Sequence, residues 1–245
     1  MPDLSGIDRI HPAVIGPVRE YAALIEECAG DRAVALVVFG RVLSEDFDAA
    51  TDVVASVLVV DEVDLNALRA LARHGPRLGR LRIAAPLVMT PAYVESSRDT
   101  FPLELIEIQQ KHQALWGDDP FARLTFEPEH VRLQCEREFK RLLIQLRQGL
   151  LKAADQEFLL AELQRALADD LIRTLRGVLW LKGTREPTPR GEVVAAAARM
   201  CGRDLKGLRH AADRGYEPGW DDFQAFYADL VALAAHLDHT LEHAR

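Results

Sequence analysis

Closely spaced carboxylates are the residues of this chain best suited to chemistry. Asp46-Phe47-Asp48 is a literal Asp-x-Asp, and Asp52 stands just ahead of the apolar run Val53–Val60. Residues two apart on a β-strand share a face, so a carboxylate pair at that spacing can converge on a hard cation. Asp46 and Asp48 lie in a polar loop several residues before the run, where a solvated acidic turn is the simpler reading. Stepping from Asp52 along its own face meets Val54, Ser56 and Leu58, so one carboxylate remains, at the strand entrance. Sliding the register so that Ser56 takes the second place puts Val54 in the first and leaves none. Phe101–Ile108 reads as a further strand. Its two carboxylates point to opposite faces, Glu104 with Ile106 and Ile108, Glu107 with Leu103 and Leu105.

Other groupings are bland by comparison. His236, His239 and His243 share a helical face, but a metal would need a further ligand, and histidines near a helix C-terminus also suit its dipole. Arg137, Lys140 and Arg141 fall on one face of a long helix. They could attract a nucleotide or an acidic partner, although Glu136 and Glu138 interleave them and a solvated face explains them as well. No Ser-His-Asp, phosphate-loop, dinucleotide-fold or zinc-ribbon pattern occurs.

These residues must be held by two kinds of architecture. Pro17–Ala29 has helical spacing and ends at Gly30; Ala33–Phe39 and Val53–Val60 are nearly unbroken apolar runs, as expected of central strands covered on both faces. Asp64 reads as the N-cap of a helix over Leu65–His74, Leu81–Met89 as a third strand, and Thr90-Pro91 as the opening of a short helix. Phe101–Ile108 completes a mixed α/β sheet over residues 1–117. After a linker at 118–127 the periodicity turns helical, over Glu129–Ala153, Gln156–Lys182, Glu192–Cys201, the weak segment Leu205–Ala212, and Trp220–Ala244. The expected fold class is therefore α+β: a small sheet domain followed by an antiparallel helical bundle at 128–245.

The outline strand, Gly40-Arg41, acidic loop, strand resembles the opening of the nucleotidyltransferase fold shared by DNA polymerase beta and the aminoglycoside nucleotidyltransferases. Ile108–Pro120, with its Leu-Trp-Gly-Asp-Asp-Pro close, and Arg173–Gly183 resemble passages of the kanamycin nucleotidyltransferase type, so the resemblance covers about Val34 to Ala212. It implies transfer of a nucleoside monophosphate to a small hydroxylated substrate, with Mg²⁺ ions bridging the attacking and leaving oxygens. In that family a Gly-Ser turn contacts phosphate and an Asp-x-Asp enters the second strand. Here arginine follows Gly40 and Val54 takes the second acidic place. The resemblance thus implies a degenerate site, a nucleotide-, ligand- or partner-binding protein that requires no cofactor. Gly40, Arg41, Arg137 and Arg141 are then the candidate nucleotide contacts. Were it active, Asp52 would be catalytic, Asp52, Asp48, Glu104 and Glu107 the metal candidates, and Mg²⁺ with a nucleoside triphosphate the cofactors. Arg41 could grip a phosphate bidentately, or close the anion site by pairing with Asp46, Asp48 or Asp52, and the second reading leads. The bundle also invites comparison with the HEPN ribonucleases through Arg203 and His210, but these fall in its weakest segment. A third possibility is an antitoxin-like or structural partner protein, with an exposed apolar patch perhaps on the Trp220 helix.

Composition narrows the partners. The 245 residues carry a net charge of −8, with 11 basic against 17 acidic side chains in residues 1–117 and 19 against 21 in residues 118–245. Such a chain has no general attraction for nucleic acid or an anionic membrane, so any phosphate contact must come from a local basic patch. A nucleotide or small molecule and a second copy of the chain remain as partners. Cys28, Cys135 and Cys201 are isolated, the N-terminus lacks a signal-peptide pattern, and no apolar run is long enough to span a bilayer; a cytoplasmic protein is expected.

Overall fold

The computed structural model of the chain describes residues 4–44, 47–154, 156–213 and 215–242, the last five by backbone alone. The chain divides into two compact units, Met1–Arg98 with Leu105–Thr125, and Asp99–Glu104 with Phe126–Arg245.

The first unit is built on a four-stranded mixed sheet. Helix α1 (Ile15–Ala29) buries Val18, Tyr21, Ala22, Leu24 and Ile25, and Gly30 closes it. Strand β1 (Ala33–Phe39) leads through a 3₁₀ turn at Gly40–Leu43 toward β2 (Ala55–Val60). Helix α2 (Leu65–Ala72) starts where the Asp64 carboxylate accepts the Asn66 N–H at 2.8 Å, as its sequence position predicts. Helix α3 (Gly75–Arg80), strand β3 (Leu87–Met89) and helix α4 (Pro91–Ser96) follow, the last capped by Thr90, whose hydroxyl accepts the Tyr93 N–H at 3.1 Å. Helix α5 (Pro102–Gln110) precedes β4 (His112–Trp116). The sheet order is β3-β2-β1-β4; β1 runs antiparallel to β2 and β4, and β2 runs parallel to β3. Leu36, Val38, Val54, Leu58 and Val60 join the stripe of α1 in one apolar cluster. Within that region Tyr21 and Ser56 share a buried hydroxyl–hydroxyl hydrogen bond of 3.0 Å, and burial pushes the Tyr21 phenol up to about 12.

Two sheet expectations are corrected. Phe101–Ile108 is not a strand: Pro102–Gln110 is helical. Leu103, Leu105, Ile106 and Ile108 are all buried, and Glu104 and Glu107, three apart, share the less buried face of the helix. A short apolar run of that kind fits a covered strand or a buried helix equally. Pro102 at the first helical position and Glu104 in the first turn were the available signs of a helix. The strand expected over Leu81–Met89 is confined to Leu87–Met89, with one isolated bridge from Val54 to Ile83. Arg82 interrupts the extended backbone with a φ of 59°. The remaining place in the sheet is filled by His112–Trp116, beyond the segment expected to supply it.

The second unit is helical, as its periodicity requires. It contains α6 (Pro128–Ala153), α7 (Glu157–Leu181), α8 (Arg190–Cys201), α9 (Lys206–Ala212) and α10 (Trp220–Glu242). Helix α6 buries Val131, Cys135, Phe139, Leu142 and Leu146 against α7, which buries Leu160, Leu167, Leu171, Leu175 and Val178. Each such side chain contributes ~1.5–3 kcal/mol on burial, against propensity differences of at most ~0.7 kcal/mol per ordinary residue, so packing decides these helices. The mixed sheet unit and the helical unit together bear out the expected α+β class.

Candidate functional site

Gly40 turns the chain at the end of β1 with a φ of 76°, a left-handed conformation that glycine adopts without strain. Its N–H donates to the Lys111 carbonyl at 2.8 Å, tying the turn to the residue ahead of β4. The 3₁₀ turn that follows brings Arg41 back toward the start of β2. There its Nε–H donates to Asp52 Oδ2 at 2.9 Å. The Asp52 side chain is 3% exposed and that of Arg41 40%, so a buried carboxylate meets a guanidinium that reaches the surface. The same Oδ2 accepts the Asp48 N–H at 3.0 Å, and the Asp52 N–H returns a bond to the Asp48 carbonyl at 2.7 Å.

Asp48 closes its own turn. Its Oδ1 accepts the Ala50 N–H and its Oδ2 the Thr51 hydroxyl, both at 2.9 Å. Those two bonds, the Ala50 N–H foremost, hold its carboxyl below the usual carboxylate range against the opposing pull of the Asp52 charge. Asp46, the other half of the literal Asp-x-Asp, lies outside the described residues. Lys111 is a member of this neighbourhood that sequence inspection did not single out: its Nζ donates to Ser44 Oγ, a partner 67 residues away. No local pattern signals a contact at that separation.

The sheet itself offers no acid. Ala-Val-Ala-Leu-Val-Val-Phe, Ala-Ser-Val-Leu-Val-Val, Leu-Val-Met and His-Gln-Ala-Leu-Trp contain neither aspartate nor glutamate. Val54 is fully buried in the apolar cluster with α1, and Ser56 is bonded to Tyr21. Glu104 and Glu107 stand on α5, so the opposite-face argument, which assumed a strand, does not apply to them. Glu104 Oε2 accepts from Gln134 Nε2 at 2.7 Å in the helical unit, and Glu107 belongs to the sheet unit. A two-metal site needs several carboxylate oxygens converging on one point. The described residues do not fit it: Asp52 Oδ2 already accepts two donors, Asp48 engages both its oxygens, and Val54 presents only methyl groups. Among the described residues no cluster of three His, Cys, Asp or Glu could hold a metal ion.

Arg137 and Arg141 lie on α6. Arg141 bonds Glu138, Gln145 and Asp170, and Arg137 is exposed. Of the three histidines on the last helix, only the side chain of His236 is described. His210 pairs through Nδ1 with Asp222 Oδ1 at 2.6 Å, and Asp222 Oδ2 accepts the Tyr216 hydroxyl and the Gly219 N–H, both at 3.1 Å. Burial raises the Asp222 carboxyl, but the bonds from His210, Gly219 and Tyr216 outweigh it and leave the group below its ordinary value. A depressed carboxylate stabilises the fold above its unfolded pKa, near ~3.9, and that contribution is lost as pH falls through the folded value. The thermal midpoint of the wild type should therefore fall more steeply below about pH 4 than that of Asp222→Asn. Parallel slopes would remove Asp222 from the acid response.

In overall fold, a mixed sheet followed by a helical part, the chain is similar to a solved nucleotidyltransferase. The solved structure of spectinomycin adenyltransferase AAD(9) from Enterococcus faecialis, with ATP and spectinomycin, is similar to this chain with a TM-score of 0.60. The match covers 91% of this chain and 98% of that one at 11% sequence identity. At that identity the likeness is one of fold. No family model and no curated protein matches the sequence. Among the described residues, no helix is long and apolar enough to cross a membrane.

Proposed function

We propose that this protein is a nucleotidyltransferase-fold protein that binds a nucleotide or related small molecule without carrying out two-metal nucleotidyl transfer. The observation that carries the reading is the Arg41–Asp52 pair: the one acid at the entrance of β2 is buried and bonded to a guanidinium. With Val54 in the second acidic place, no group among the described residues completes a Mg²⁺ ligand set. The Gly40 turn and Arg41 are the groups that would meet phosphate, which a guanidinium suits by charge and geometry. The functional division we infer places the ligand-binding part in residues 1–117, a connecting segment at 118–127 and the helical domain at 128–245. Three free cysteines, each with its thiol pKa raised chiefly by burial, support a reducing, cytoplasmic setting.

Isothermal titration with each nucleoside triphosphate, with Mg²⁺ and with chelator, paired with a labelled-nucleotide transfer assay on spectinomycin and other aminocyclitols, tests this proposal. Binding that persists in chelator, with transfer no faster than without protein, is the expected result. Robust Mg²⁺-dependent transfer that disappears in Asp52→Ala would overturn it. That outcome belongs to a second reading, an active transferase using Asp52 and Asp48, which draws on the backbone hydrogen bonds that hold those two residues side by side.

A further inference from the structure

Helix α6 presents an outward face unlike the rest of this acidic chain. Leu133, Arg137, Lys140, Ile144, Arg147 and Leu151 are all exposed and recur at steps of four, three, four, three and four. That is the 3.5-residue spacing of a helix seam, and it runs for about 27 Å at 1.5 Å per residue. Leu133, Ile144 and Leu151 are 38%, 54% and 82% exposed. Three cations stand at the stripe positions between them, and the carboxylates that interleave the helix there, Glu136 and Glu138, are taken up by Arg132 and Arg141. Arg147 bonds and stacks over Tyr227, and no carboxylate of the described residues pairs with Arg137 or Lys140. A solvated helix face ordinarily mixes charges of both signs and keeps large aliphatic groups apart.

The neighbouring helix carries the complement. The exposed residues Phe158, Glu162, Ala166 and Asp169 share one face of α7, with Phe158 61% exposed; Glu162 is the leading carboxylate of this face, because Asp169, its side chain 55% exposed, already pairs with Arg190. Helices α6 and α7 pack on each other. One rigid pair therefore displays an apolar–basic stripe and an apolar–acidic stripe. We propose that these stripes form a homodimer interface, in which α6 of each protomer lies on α7 of its partner about a two-fold axis. Such an isologous contact matches each stripe to its opposite charge twice and closes on itself, leaving neither exposed.

Light scattering coupled to gel filtration, with sedimentation equilibrium, tests it on the full chain. The wild type should be a dimer at low salt and weaken as salt rises, because screening acts on the cations and carboxylates. Ile144→Glu with Leu151→Glu should be monomeric with unchanged far-ultraviolet circular dichroism, since both side chains face solvent within the protomer. Arg137→Glu with Lys140→Glu should weaken association about tenfold or more, and adding Glu162→Lys to that chain should recover part of the loss. A wild type that stays monomeric at high protein concentration and low salt overturns the proposal, whether or not it binds anionic vesicles or an acidic peptide. So does a dimer indifferent to the Ile144 and Leu151 substitutions, and failure of Glu162→Lys to rescue removes α7 as the partner face.

Discussion

Replacing Asp52 with alanine should lower the stability of this protein by about 2–3 kcal/mol, with no catalytic loss to accompany it. The carboxylate is buried, and it accepts both the Arg41 guanidinium and the Asp48 N–H. Its removal orphans a backbone donor and leaves a guanidinium facing an empty position. The cost stays below the ~3–5 kcal/mol of a fully buried broken pair because Arg41 is 40% exposed and water can solvate it. Asp52→Asn keeps an acceptor of the same shape and should recover roughly 1 kcal/mol. Denaturant unfolding of the three proteins decides the matter. An alanine variant as stable as the wild type would mean that the acid is not structural, and would return it to candidacy for chemistry, since functional acids are commonly neutral or costly to stability.

Gly207→Ala should be the more damaging of two simple glycine substitutions, by roughly 3 kcal/mol or more. A Cβ at Gly207 would lie 2.1 Å from the Phe226 nitrogen and 2.3 Å from the Ala225 carbonyl carbon. These are backbone atoms of α10 and cannot rotate aside, so α9 must move away from α10 as a body. The movement also strains the bond from the Leu208 N–H to Asp229 Oδ2, 3.0 Å long, which satisfies a buried carboxylate whose pKa burial has already raised. Gly191→Ala in α8 is the matched control. Its Cβ would meet nothing within 4 Å, so the better helix former should stabilise by about 0.5–1 kcal/mol. Thermal melting should show shifts of opposite sign, and equal small shifts would show that α9 yields without cost.

Much of the fold is written in local patterns. The runs Ala33–Phe39 and Val53–Val60 are apolar apart from Ser56, and they supply β1 and β2, the interior strands of the sheet. Asp64 and Thr90 mark helix starts because their side-chain oxygens reach the first free N–H groups, a chemistry that needs only a few residues of sequence. The long helices follow from stripes repeated over many turns. Where the run is short, as in Leu103–Ile108, two carboxylates three apart among four apolar residues are too few to separate a helix from a covered strand. Strand β4 was missed for a different reason: His-Gln-Ala-Leu-Trp is mixed in character and is extended because β1 offers it a ladder.

The candidate site divides along the same line. The sequence shows valine at position 54, where the resemblance to nucleotidyltransferases implies a second carboxylate, and arginine after Gly40. Residue identity settles both, because no rearrangement of the chain can make a valine ligate a metal. By sequence Arg41 can pair with Asp46, Asp48 or Asp52, and the folded loop brings it to Asp52; Asp46 lies outside the described residues. That pairing depends on the Gly40 turn, on the Asp48 N–H bonding the Asp52 carboxylate while the Asp52 N–H bonds the Asp48 carbonyl, and on the burial of that carboxylate beside β2. Lys111 joins the turn by the same logic, through strand pairing between segments far apart in the chain. Local chemistry determines what each residue can do; long-range pairing decides which residues meet.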